Sequence, residues 1–472
     1  MKLPIIGGAY NGRTPALNAQ ICRNFYIGID PKDSFPVSLI GTPGSYLKWT
    51  LGSGPIRGAY STDTDVYHVS GSGLYQGQTL VGTLNTSESR VGMAFNGSTL
   101  MIVDGLYGYT YDGALFAVIA SVDFPSNPSS LAFQDGYFIV NDAGTNQYYI
   151  SPTGTTWSPT GFASAEGDAD KLVSVVSDRN ILWLLGSKTG EVHYNTGDAD
   201  FPFRRLGGGL FHYGCAAPFS VARLKSGLVW LSSNDHGQGQ VIGMSGSYVP
   251  EILSTPQLDY QISTYVTISD AFAYVYQDEG YEFYCLTFPI ANKTWVFDGT
   301  SAEWHERASD NATNDPSFPS RQRYNCHTYY GREHLVGDYE NGKIYVLDND
   351  VGTEYDGTFI TRERIARHLN NDQERIFFRE VQIACEHGVG QFSGTAEETD
   401  PQIGLCWSKD GGHTWSNWLF RSIGKIGEYL TRTVWRNLGV GRDWTFWLKI
   451  YTNRPVVITE AVGQLRETRV RN

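Results

Sequence analysis

The sequence predicts an all-β protein: a β-propeller of six to eight blades with an extended N-terminal arm, followed by a C-terminal β-sandwich-like domain containing one Asp-box hairpin. Three observations predict it. The first is composition. Aromatic residues are 14% of the 472-residue chain, with 29 Tyr, 23 Phe and 12 Trp, and charged residues are 18%, against ~25% in an average soluble domain. Aromatic, Val and Thr side chains pack well on a pleated surface, and the Lys, Glu and Ala runs of long exposed helices are scarce. The second is the turn supply: 53 Gly, with abundant Asn, Asp and Ser, provide the tight reversals that many short strands need. The third is a loose repeat of apolar strand, Gly/Asp/Asn turn, aromatic-bearing strand and further turn. Its units start at spacings that grow from the thirties to the low fifties of residues, the period of a four-stranded blade with variable loops. The competing arrangement is a run of unrelated hairpins in a sandwich.

Residues 1–55 read as the extended arm, in which Gly, Pro and Asn punctuate short apolar runs such as ICRNFYIGI and PVSLIG. Residues 56–350 carry the repeat, from GAYSTDTDVYHVSGSGLYQG to CHTYYGREHLVGDYENGKIYVLDND. Within it, FNGSTLMIV and FQDGYFIV set Asn-Gly or Asp-Gly between apolar strands, a strong hairpin pattern. Residues 351–472 comprise a linker and the sandwich-like domain. TRERIARHLNNDQERIFF is the one helix candidate. Its charges leave no continuous apolar stripe, which predicts an extended linker with at most a helical turn. From Phe377 the β pattern resumes in FFREVQIACEHG, QIGLCWS, WSNWLFRSI, DWTFWLKIYT and PVVITEAVGQL, a domain of about a hundred residues.

The formal net charge is −13. A protein that grips DNA through its phosphates carries the opposite sign on its binding face, whereas an acidic wall repels the backbone and leaves it mobile. The charge is uneven. From Arg421 to Arg471 basic residues outnumber acidic ones, Arg432, Arg436, Arg442, Lys449, Arg454, Arg466 and Arg469 among them. Arg432, Arg436 and Arg442 are the candidate interface, and ordinary surface charge is the alternative. The six cysteines, Cys22, Cys215, Cys285, Cys326, Cys385 and Cys406, form no C-x-x-C pair and are expected to be buried, reduced thiols. The start, MKLPIIGGAYNGR, has no apolar core long enough for a signal peptide, and no run approaches ~18 apolar residues. A reducing cytoplasm is the expected place of synthesis and assembly, so the N-x-S/T sites at Asn85, Asn96, Asn292 and Asn311 carry no weight.

The sharpest motif is SKDGGHTW, Ser408 to Trp415, which fits the Asp-box pattern S-x-D-x-G-x-T-W. Ser408, Asp410, Gly412, Thr414 and Trp415 are its members. Asp410 can accept hydrogen bonds from turn amides, Gly412 lets the backbone reverse, and Trp415 is expected to pack over the turn. The predicted role is structural, because an Asx-type turn uses its carboxylate locally. Glycosidases also carry such boxes, but they need two carboxylates facing across a cleft. The pairs Asp168/Asp170, Asp198/Asp200 and Glu397/Glu398 lie in polar loop sequence and read as solvated turns. Asp348, Asp350 and Glu354 fall short of calcium-loop spacing. His327 and His334 read as satisfied structural histidines, and neither a phosphate-binding loop nor a nucleophile elbow is present. No catalytic residue, metal site or cofactor is predicted.

The two ends of the chain resemble the packaged-DNA stabilisation proteins of short-tailed enterobacterial phages, the tail accessory factors or tail hubs. The resemblance is carried by GGAYNGRTPALNAQICRNFYIG and LIGTPGS at one end. At the other it is carried by RIFFREVQIACEHGVG, LCWSKDGGHTWSNW, WRNLGVGRDWTFWLKIY and VVITEA. It implies a late-assembling homo-hexameric ring that docks below the portal and adaptor ring, retains the packaged genome and presents sites for a tail needle and tailspikes. Double-stranded DNA then passes along the ring axis without sequence-specific binding. No catalytic residues carry over. The rival reading is a carbohydrate-binding or glycosidase-type propeller, from which ring formation discriminates.

Overall fold

The computed structural model describes the chain except residues 12, 15–18, 33–34, 169, 234–238, 245–247, 310–318 and 466–472. Asn311, Arg466 and Arg469 therefore lie outside the described residues. The strands form where alternate side chains are apolar: along Pro128–Gln134 every second residue is buried, as a pleated strand with one covered face requires.

Residues 56–348 fold into antiparallel units of four strands. Blades 1 to 6 span 56–83, 92–118, 128–164, 172–211, 222–252 and 272–306. Blade 7 takes three strands from 324–348 and its outermost strand from Gly44–Thr50, far upstream. The first strand of blade 7 packs against that of blade 1, so the N-terminal strand completes the blade that closes the circle. Two-residue turns at 135–136, 179–180, 279–280 and 331–332 join the first two strands of blades 3, 4, 6 and 7. Both turn residues have positive φ, as at Asp135 (50°) and Gly136 (88°), the geometry that matches the twist of the flanking strands. The Asn96-Gly97 turn is longer. Phe95 pairs with Leu100, and Asn96 Oδ1 accepts the Ser98 and Thr99 amides at 2.9 and 2.7 Å.

The C-terminal domain is a sandwich of two sheets. One orders Phe25–Ile29, Val37–Gly41, Val457–Leu465, Ile376–Cys385 and Thr433–Gly441; the other orders Thr361–Ile365, Asp443–Tyr451, Gln402–Ser408 and Leu419–Ser422. Phe378, Val381, Ile383 and Trp435 of the first belong to one buried cluster with Leu405, Phe446 and Leu448 of the second, which extends to Leu286, Phe297 and Trp304 of blade 6. The second sheet also continues through Cys22–Arg23 into blade 6.

Two expectations change here. The N-terminal stretch is extended, but it is not an arm apart: its strands sit in both domains, and Met1–Leu3 bond to Ala461 and Gly463. The segment Thr361–Ile365, expected as linker, is a strand buried at all five positions. The reason in both cases is internal pairing of its charges. The buried Arg364 donates to the carbonyls of Ile5, Gly8 and Ile21 at 2.6, 2.8 and 3.2 Å and to Gln20 Oε1 at 2.8 Å. Arg362 donates to Thr42 O at 3.0 Å. A buried charge is tolerated when its hydrogen-bonding capacity is filled, as it is for Arg364.

Glu363 joins a row of alternating charge across five adjacent strands, running Lys293, Glu306, Arg23, Glu363, Lys449. Lys293–Glu306 is 2.5 Å, Arg23–Glu306 3.1 Å and Lys449–Glu363 3.3 Å, and Arg23 also contacts Glu363. Burial opposes charge on Glu306, yet Arg23 and Lys293 hold its carboxyl below the usual range. Lys449, expected in the basic C-terminal surface, is thereby largely internal. Two helices were not foreseen: Pro256–Ser263, capped by Thr255 with Leu258 and Ile262 buried, and the single turn Ala396–Thr399.

Candidate interaction surfaces

The residues of SKDGGHTW come together at the end of strand Gln402–Ser408. Asp410 Oδ1 accepts the Ser408 hydroxyl at 2.6 Å and the His413 and Thr414 amides at 3.1 and 2.9 Å; Oδ2 accepts the Thr414 hydroxyl at 2.5 Å. Gly412 N donates to Ser408 Oγ at 2.8 Å. Desolvation opposes the charge on Asp410, but bonds from Ser408, Thr414 and His413 outweigh it and hold the carboxyl at about 2. Trp415 is half-buried and lies edge-on to Trp447, 5.3 Å between centroids. Trp447 takes Trp418 in the same way at 5.2 Å. The ring thus packs against Trp447 of the neighbouring strand.

Of the three candidate interface arginines, Arg432 and Arg436 share the outer face of the edge strand Thr433–Gly441. Both are exposed and approach Glu380, at 3.7 and 2.9 Å, and Arg432 also donates to Gln382 Oε1 at 2.6 Å. Arg442 stands apart from them. It donates to Gln373 O at 3.1 Å and lines a cavity of about 670 Å³ with Arg375, Lys409 and Asp410. The fold therefore places the Asp410 turn beside a small basic cluster that the spacing did not reveal.

The acid pairs have local partners. Asp170 accepts the Lys188 and Thr189 amides at 2.6 and 2.9 Å, Asp198 pairs with Arg204 at 2.7 Å, and Glu398 completes a capping box with Thr395. Glu354 turns inward and accepts Ser309 Oγ at 3.3 Å, away from the loop of Asp348 and Asp350. Among the described residues no three His, Cys, Asp or Glu are placed to hold a metal ion, and no helix is long and apolar enough to cross a membrane.

Side chains meet across the propeller axis at one end. Arg90, at the entry to blade 2, lies 3.6 Å from the Phe272 ring centroid and 5.8 Å from that of Phe219, and donates to Asn325 Oδ1 at 2.8 Å. Phe272 begins blade 6 and Asn325 belongs to blade 7, so these contacts cross the axial space. Burial lowers the Arg90 guanidinium to about 10. The opposite end opens into a cavity of about 940 Å³, walled by five blades and lined by Tyr60, Tyr276, Tyr329, His327 and His334. The two histidines bond to each other, Nε2 to Nδ1 at 3.0 Å. Desolvation lowers both, and the neighbouring imidazole lowers His327 further, to about 3. The signal for this pair was the two-residue turn at 331–332, which sets His334 opposite Tyr329 and one diagonal step from His327.

A family model described as "Bacteriophage P22 Gp10, beta-propeller" matches residues 1–352, and one described as "Bacteriophage P22 Gp10, beta-sandwich" matches residues 361–464. No curated protein matches. Similar solved structures include the extracellular domain of a hybrid two component system from B. thetaiotaomicron, at 8% identity and a TM-score of 0.42, covering 72% of this chain and 43% of that one. The chain thus spans less than half the length of that relative. The WD40 β-propeller domain of Doa1 matches at 14% identity and a TM-score of 0.38, over 65% of this chain and 96% of that one. The Neurospora crassa Pan2 WD40 domain matches at 9% identity and 0.37, over 62% and 89%. At these scores the structural likenesses carry no argument beyond the family match.

Proposed function

The chain belongs to the bacteriophage P22 Gp10 family, and from that premise we propose that it is the hub of a short phage tail. It docks as a homo-hexameric ring below the portal and adaptor, closes the DNA channel, and offers attachment sites to a tail needle and tailspikes. It is assembled in the host cytoplasm and works in the virion as a structural protein without a reaction of its own. The observation that carries this reading is the match of both domains, in order, to one phage structural family. The fusion of the propeller and sandwich through one continuous sheet and one buried row of charges supports it, since a plug under genome pressure benefits from domains that do not hinge. The contacts of Arg90 across the axial space support a DNA passage between subunits of the ring over one down a propeller axis. The acidic balance suits a wall that DNA slides past.

The test is retention. Particles made without this chain are expected to package DNA and then leak it, and prompt addition of the purified protein is expected to restore retention. Particles that hold their DNA and infect normally in its absence overturn the assignment.

A further inference from the structure

The open end of the propeller axis has a composition that the hub role does not use. Its cavity of about 940 Å³ shares Gln277, Asp278 and Glu279 with a second cavity of about 610 Å³, which includes Lys225, Tyr281 and Glu282. The two join into a groove that runs from the axis outward over blade 6. The inner part is aromatic, with Tyr60 and the half-exposed Tyr329 beside a pair of hydrogen-bonded histidines, while Tyr276 behind them is buried with its ring and hydroxyl engaged by Arg307. The rim is acidic, with Asp278, Glu279 and Glu282. Arg223, a cation of the rim, is already engaged by Asp178 at 3.5 Å and by Ser177 O.

We infer that this groove docks an extended segment of a partner protein bearing arginine or lysine, with one cationic side chain entering the aromatic cavity and the acidic rim meeting its neighbours. The site is complementary to a cation: aromatic faces attract one through the ring quadrupole, most strongly where water is excluded. Carboxylates at the mouth add steering and specificity. The histidines, kept neutral by burial, put no positive charge in the way. A phosphate backbone would meet three carboxylates and is disfavoured. The inference stands on the propeller alone and does not depend on the ring.

The test is calorimetric titration of the full chain with the peptide Gly-Arg-Gly-Arg-Gly amide, with its citrulline counterpart, and with a neutral oligosaccharide. Binding of the arginine peptide, weakened by salt and absent for citrulline, is expected. Glu279→Gln alone, on an exposed turn, and the double variant Asp278→Asn with Glu279→Gln are expected to weaken it, the double by about tenfold. Tyr329→Ala is expected to weaken it as well. Equal binding of the citrulline peptide, tighter binding of the oligosaccharide, an unchanged affinity in the double variant, or no binding at millimolar peptide each overturns the inference.

Discussion

Asp410 holds its turn from a solvent-exposed position, and that sets what its loss costs. In Asp410→Ala the His413 and Thr414 amides can turn to water, so the expected destabilisation is about 1 kcal/mol, measured by urea unfolding. The pH dependence follows from the depressed carboxyl. Its stabilising contribution is complete above the ordinary value of 3.8 and is lost as pH falls toward about 2. An acid titration of Asp410→Ala should therefore converge with the parent chain near pH 2. Trp415 is half-buried against Trp447, and Trp415→Ala is expected to cost roughly 1–3 kcal/mol, less than a fully buried ring. Arg364 is the opposite case. It is completely buried with four partners in the N-terminal stretch. Arg364→Met strands those acceptors and is expected to cost about 3–5 kcal/mol, again by urea unfolding.

Among the elements, the strand Gly44–Thr50 carries the ring closure. It pairs from Asp348 to Lys343 along the outer edge of blade 7, so removal of residues 1–50 leaves that blade three-stranded and also strips two strands from the sandwich. A chain lacking them is expected to lose its cooperative melting transition, measured by calorimetry. The hairpins were legible because Asp-Gly and Glu-Gly supply the positive φ that two-residue turns demand. The helix Pro256–Ser263 was not foreseen: a Thr cap, a Pro at its first turn and apolar residues four apart point to it, but its eight residues are lost among strand-like neighbours. Thr361–Ile365 was not legible. A strand with two arginines and a glutamate reads as solvated unless its partners are known, and most of those partners lie more than three hundred residues away in sequence.

At the scale of the whole molecule, the exposed arginines are the ones an assembly can use. Arg432→Gln with Arg436→Gln removes both ion-pair partners of the largely covered Glu380, and the fold is expected to lose about 1 kcal/mol. Docking to DNA-filled particles is expected to weaken, read as slower recovery of DNA retention. Unchanged recovery would move the docking surface elsewhere, the basic cluster of Arg375, Lys409 and Arg442 being the next to test.

The sequence by itself determined the all-β class, the repeat of hairpins, the local turns and the sandwich that follows, because these depend on period-two patterning and on turn chemistry within a few residues. Only the tertiary structure decided where the N-terminal stretch goes, that buried arginines tie it to both domains, and that Arg90 reaches across the propeller axis. Those outcomes rest on pairings between distant segments, where a charge is buried or exposed according to what lies opposite it, and no local pattern records that partner.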